Sequence, residues 1–281
     1  MSEAPAPDAV APDAADSTDV LADVTAADVT ASADASARID RLWPEPAADL
    51  DDEALLEAYA FPGEGPWLRM NFIASLDGAA TRQGRSGGLG DAADRRVFEL
   101  LRWGADAVLV GAGTVRAEGY GAMRLDNAAV AWRVTRGLPA QPVFVLVTRT
   151  LNLDPASSVF TDAPVRPIVC TVATAPASRR AALAVVADVV DVGETEADPQ
   201  RLRDELAAWG LPRIHAEGGP SLFGAFVAGG AVDELCLTLS PTLEAGDARR
   251  IAHSPLAAPT GMALASVLRS GDELLLRYRR A

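Results

Sequence analysis

The stretch Arg213-Ile214-His215-Ala216-Glu217-Gly218-Gly219-Pro220-Ser221-Leu222-Phe223-Gly224 decides how the chain is read. Residues 213–216 have the make-up of a short strand. Gly218 and Gly219 let the backbone turn sharply and come close to a ligand. Pro220 suits a first helical position, where its missing N–H has no partner to lose. Residues 221–227 continue as a small, apolar helix. A helix start bared by glycines offers free N–H groups and partial positive charge to an anion. Glu217, immediately before it, is badly placed to hold a phosphate and points to a role toward a different ligand. The Gly-Gly-Pro triplet reads equally well as a plain strand-to-helix turn, and no short glycine motif separates the two by itself.

Outward from this stretch, strands alternate with helices. Upstream, 106–110 is a buried strand followed by Gly111-Ala112-Gly113-Thr114, half of a dinucleotide fingerprint whose third glycine would fall at Arg116. The full Rossmann motif therefore fails. Residues 67–74 form an apolar strand that turns at Ser75-Leu76-Asp77-Gly78 into a glycine- and serine-rich loop, 81–90. Asp91 caps a helix with Val97, Leu100 and Leu101 on one face and Gly104 as its stop. A short helix over 51–59 precedes these elements. Residues 119–138 read as an irregular insert. Further strands are expected at 143–148, 166–171, 185–191 and 234–239. Asp198-Pro199 starts a helix that buries Leu202 and Leu206. Residues 262–269 and 273–279, around Ser270-Gly271-Asp272, form a closing hairpin. This order predicts an α/β fold with a mostly parallel sheet and an antiparallel edge.

Composition narrows the function. The 281 residues carry a formal charge of -14, and all 25 basic residues are arginine. Residues 1–37 hold eight acidic residues and no basic one. Residues 1–38 are accordingly expected to be a disordered acidic tail, with 39–281 as a single domain. An acidic chain is a poor partner for nucleic acid or an anionic membrane. No apolar run is of bilayer length, and no secretory leader is evident, so a cytoplasmic location is expected. Cys170 and Cys236 sit in apolar strands as inert thiols. His215 and His253, the only histidines, lack partners at metal-ligand spacing.

Ligands collect at the carboxyl ends of strands in such sheets. That places residues 74–78, 111–118, 148–149 and 217–221 on one rim, within reach of the loop Gly84-Arg85-Ser86-Gly87-Gly88. No serine has an evident base, so a nucleophile is not indicated. Phosphate cradles without a nucleophile suit chemistry carried by a cofactor. Arg102 and Arg124 could supply fixed charge to a second anion, or stand as solvated surface arginines.

Ser75-Leu76-Asp77-Gly78, Gly84-Arg85-Ser86, Leu100-Leu101-Arg102, Gly111-x-Gly113-Thr114-Val115, Glu217-Gly218-Gly219-Pro220-Ser221-Leu222 and Val232-Asp233-Glu234-Leu235 together resemble the riboflavin-biosynthesis pyrimidine reductases. These form the reductase half of a bifunctional deaminase–reductase. The likeness spans about residues 67–280 and is nearest to the stand-alone actinobacterial members. It implies a dihydrofolate-reductase-like fold, NADPH as cofactor, and 5-amino-6-(5-phosphoribosylamino)uracil as a phosphorylated pyrimidine substrate. By the same resemblance Ala74, Thr114, Glu118, Thr148 and Gly219 to Ala225, including Pro220, Ser221 and Leu222, would contact NADPH. Ser86, Arg102 and Arg124 would hold the substrate, and Glu217 would contact its polar groups as the catalytic residue. The rim adds Asp77, Gly111, Gly218 and Arg149 to the cofactor side, Arg149 near the 2′-phosphate. A homodimer completes the expectation. The sequence departs from the family at Gly88, where tryptophan is common, at Glu118, where aspartate is, and in the insert after Gly119. A pteridine or dihydrofolate-type reductase on the same fold, and a non-catalytic nucleotide-binding protein, are the alternatives.

Overall fold

The structure is a computed structural model that describes residues 37–63, 65–254 and 259–281. The expected acidic tail lies outside the described residues except for its last two positions. In chain order the first elements are β1 (Asp40–Trp43), α1 (Asp52–Ala58), β2 (Trp67–Ser75), α2 (Ala92–Trp103), β3 (Ala107–Gly111) and α3 (Ala112–Glu118). Next come α4 (Asn127–Thr135), β4 (Val143–Val147), α5 (Ser158–Thr161), β5 (Ile168–Thr171), α6 (Ala177–Ala184) and β6 (Asp188–Asp191). The chain closes with α7 (Pro199–Ala208), β7 (Arg213–Ala216), α8 (Pro220–Ala228), β8 (Glu234–Ser240), β9 (Met262–Ser270) and β10 (Glu273–Arg280).

All ten strands form one sheet in the order β1-β9-β10-β8-β2-β7-β3-β4-β5-β6. From β8 across to β6 every pairing is parallel. The pairings of β8 with β10, β10 with β9 and β9 with β1 are antiparallel. The expected mostly parallel sheet with an antiparallel C-terminal hairpin is what forms. Buried apolar layers lie on both of its faces, which is why the central strands are continuous hydrophobic runs. Val108, Leu109 and Val110 of β3 are wholly buried.

Helix starts follow the capping chemistry. The Asp91 carboxylate accepts from Ala93 N at 2.6 Å, and Asp198 accepts from Gln200 N at 2.9 Å ahead of Pro199. Val97, Leu100 and Leu101 of α2 and Leu202 and Leu206 of α7 are buried as expected.

Three departures from the sequence reading stand out. The insert expected to be irregular contains α4, started by Asp126, which accepts from Ala129 N at 2.8 Å. Its inward positions are Ala129 and Arg133, one turn apart, so no apolar stripe announces it. Residues 185–187 are not strand, because α6 runs up to Val185, its C-terminal cap. The apolar strand β2 carries Arg69 as its third residue. Its guanidinium is 1% exposed, donating to Glu234 Oε1 and to the Tyr59 carbonyl, each at 2.5 Å. Arg277 Nη2 donates to the other oxygen of Glu234 at 2.9 Å, so one carboxylate ties β2, β8 and β10 together.

Candidate active site

The two glycine turns meet at the carboxyl ends of β3 and β7. Gly111 N donates to the Gly218 carbonyl at 2.8 Å, and Glu217 N donates to the Leu109 carbonyl at 2.9 Å. Gly218 has φ +107°, a conformation that favours glycine. A side chain at Gly219 would run into Thr114 Oγ1, whereas one at Gly113 would meet open space. The turns border a cleft of about 1360 Å³. Single-ligand pockets are roughly 300–1,000 Å³, so this one has room for two ligands. No side chain caps α8, whose first residues Pro220, Ser221 and Leu222 line the cleft. Its N–H groups are available to an anion, and the bare glycines leave space for it, so this wall fits a dinucleotide's phosphates.

Glu217 occupies the opposite side of the turn. Its side chain is wholly buried and accepts from Arg102 Nε at 2.5 Å, Arg102 Nη2 at 2.8 Å and the Tyr120 hydroxyl at 2.9 Å. Burial alone would raise its titration, but the forked Arg102 guanidinium outweighs this and holds the carboxyl at about 2. Arg102 is itself fixed from behind, 4.3 Å above the ring of Phe98, which lines the cleft. His215 Nε2 lies 3.5 Å from Glu217 Oε1 without a hydrogen bond, and burial depresses its pKa, leaving the ring neutral.

On the other wall Glu118 Oε1 accepts from the Ser86 amide at 2.9 Å and its hydroxyl at 3.1 Å, drawing the glycine-rich loop onto α3. Arg82 ties the same loop to the segment after β8, donating to Glu244 at 2.9 Å. Arg149, at the end of β4, pairs with Glu196, both well exposed.

Of the residues singled out by sequence, Ser86, Gly111, Thr114, Glu118, Thr148 and Arg149 line the cleft. So do Glu217, Gly219, Pro220, Ser221 and Leu222. Ala74, Asp77, Gly218, Arg102 and Arg124 do not. Asp77 instead clasps its own turn: it accepts from Ser75 Oγ and from Ala245 N at 2.7 Å, and these bonds bring its carboxyl down to about 2. Arg102 is spent on Glu217. Arg124 donates to the Asp162 carbonyl at 2.8 Å. Sequence reasoning missed Phe72, Phe98, Tyr120, Arg95 and Arg249, all in the lining. Tyr120 had a local signal: a glycine that ends a helix in the left-handed conformation, here Gly119 at φ +76°, often precedes a residue folded back on the helix.

A family model of the RibD C-terminal domain matches residues 66–276. The chain belongs to this family. Among its RibD-domain relatives is a 2,5-diamino-6-ribosylamino-4(3H)-pyrimidinone 5′-phosphate reductase of Methanothermobacter thermautotrophicus, 31% identical over 220 residues, 76% of this chain and 97% of the relative. The riboflavin biosynthesis protein RibD of Bacillus amyloliquefaciens is 31% identical over 184 residues, 64% of this chain and 47% of that protein. A solved structure of a pyrimidine reductase-like protein from Corynebacterium diphtheriae superposes with a TM-score of 0.71 at 29% identity, covering 77% of this chain and 92% of the other. The sheet has the fold of that pyrimidine reductase-like protein, parallel at its centre with an antiparallel edge as the motifs implied.

Proposed function

We propose that this RibD-domain protein is an NADPH-dependent oxidoreductase that reduces the ribose of a phosphoribosylamino-pyrimidine to its ribityl form. The substrate is 5-amino-6-(5-phosphoribosylamino)uracil or the 2-amino compound named for the Methanothermobacter relative. One observation carries the reading: a bared helix start and a buried, ionised Glu217 face a single cleft with room for two ligands. Gly219, which caps α8, and Ser221 and Leu222 in its first turn, with Thr114, would hold the cofactor's phosphates. Arg149 would hold the 2′-phosphate, exchanging Glu196 for it. When bound, NADPH supplies the hydride.

The chain's own part is positioning, which can remove roughly 7–11 kcal/mol of barrier when the geometry is good. Glu217 stays charged through the working pH range and aligns the Tyr120 hydroxyl at the edge of the cleft; Arg102 holds Glu217 in place and does not face the phosphate itself. Ser86 would meet the substrate from the glycine-rich loop. Among the cleft arginines, Arg95 and Arg249 have no carboxylate partner among the described residues, and they suit the substrate phosphate better than Arg124 does. The reading extends to one reductase domain, 39–281, acting as a cytoplasmic homodimer, which sedimentation would check.

The test is NADPH consumption by the purified protein with each phosphoribosylamino-pyrimidine, with dihydrofolate as comparison. Turnover with a pyrimidine, abolished when the phosphate is removed, is expected. Turnover with dihydrofolate alone would replace this reading with the pterin one. The folded Gly219→Val variant should lose NADPH affinity, since its side chain would collide with Thr114.

A further inference from the structure

Glu217 has almost nothing left to give. An ionised carboxylate accepts at about four positions. Arg102 takes one on each oxygen, and the Tyr120 hydroxyl takes the second on Oε2. The fourth position, on Oε1, is closed off by the buried ring of His215, whose Nε2 lies 3.5 Å away. The neighbouring Tyr120 is placed by a separate chain of causes. Gly119 ends α3 in the left-handed conformation, Tyr120 N then donates to the Val115 carbonyl at 3.0 Å, and the ring folds back to stack on Phe144 with centroids 6.2 Å apart. Tyr120 thus borders the cleft with its hydroxyl proton committed to Glu217. A phenol that donates to a carboxylate can only accept from anything else.

Resting on the reductase reading above, we infer that Tyr120 is a specificity-determining residue: its oxygen, with its own proton held by Glu217, presents an acceptor to the cleft that selects substrates placing an N–H or O–H donor there. An amino group of the pyrimidine or a hydroxyl of the sugar has this chemistry, whereas a carbonyl placed there would face a lone pair. A ligand held this way is rejected when its donor is missing, because a buried acceptor is left unpaired.

The experiment compares wild type with Tyr120→Phe, which keeps the ring on Phe144. The KM for the phosphoribosylamino-pyrimidine should rise about tenfold, with kcat changed less, the KM for NADPH unchanged and the melting temperature close to wild type. The same pair is then measured on both candidate substrates, which differ by an amino group or an oxygen at C2, and on analogues without the 5-amino group and without the sugar 2′-hydroxyl. For the analogue that lacks the donor Tyr120 reads, wild type and variant should converge. Convergence on a ring analogue identifies an amino group, and convergence on the deoxy analogue identifies the hydroxyl. An unchanged or lowered KM in Tyr120→Phe, or an equal loss on all the analogues, overturns the inference. If Tyr120→Phe proves unstable, the analogue series on wild type alone decides: no analogue weaker than the parent overturns it. Failure of wild type to consume NADPH with any pyrimidine would count against the reductase reading and not against Tyr120.

Discussion

Removing the guanidinium of Arg102 would leave Glu217 buried and charged with one neutral donor. Breaking a buried pair this way costs about 3–5 kcal/mol. Arg102→Ala should therefore lose stability by that order in urea unfolding. It should also raise the KM for the pyrimidine at least about tenfold and leave NADPH binding nearly intact. Arg102→Lys should rescue little, because a point charge cannot fork onto both oxygens. The linkage has a definite direction. Glu217 titrates at about 2 in the fold against a usual 4.5, so the pair's contribution is complete above about 4.5 and fades as pH falls toward 2. Wild-type stability and substrate affinity should show no step from this group between neutral pH and about 5. The sequence made Glu217 visible, because an acidic residue beside two glycines is locally odd. It could not show that Arg102, 115 positions away, spends its charge there. Arginine reads the same from sequence whether it faces solvent, a phosphate or a carboxylate.

The placement of Arg102 depends in turn on how α2 ends. Arg133 of α4 is wholly buried, and its Nη1 donates to the carbonyls of Trp103 at 2.7 Å and Ala105 at 2.6 Å, while Nε donates to Pro139 at 2.7 Å. It closes off the carbonyls at the C-terminus of α2, one residue past Arg102. Arg133→Met should keep the packing volume but strand those carbonyls, at roughly 1–3 kcal/mol. It should weaken pyrimidine binding although it touches no part of the cleft. Urea melts and the KM for the pyrimidine, measured together, check both effects. Of the helices legible in the sequence, α1, α2 and α7 combine a capping aspartate with an apolar stripe, and α8 showed instead through its Gly-Gly-Pro start. The helix α4 has the cap but buries an alanine and an arginine, and α6 buries only Leu183, so period-based reading passed over both. The strand β1 is four residues long and exists only because β9 pairs with it.

Alternation of strands and helices made the parallel core readable, and the final hairpin made the antiparallel edge readable. The strand order was not, because β2 sits between β7 and β8 through contacts more than a hundred residues apart. Where β8 meets β10 the sheet changes direction, and the start of β10 carries another buried carboxyl. Glu273 is 2% exposed with neither oxygen hydrogen-bonded, and burial, then the neighbouring carboxylates Asp91 and Asp94, raise its pKa to about 8. Its folded value lies above its unfolded one, so the fold holds a proton that the unfolded chain releases. Stability from this group is greatest below about 4.5 and declines as pH rises to about 8. Glu273→Gln should flatten that decline, most visibly as a higher melting temperature at alkaline pH. The bond from Gly111 N to the Gly218 carbonyl has a kinetic consequence too. Neither turn can open without releasing the other, so the Gly111 amide can exchange its hydrogen with solvent only when the turn around Gly218 also moves. In deuterated buffer that amide becomes a reporter for a segment a hundred residues downstream. Its exchange should slow when NADPH is added, if the cofactor's phosphates bind the start of α8 as proposed.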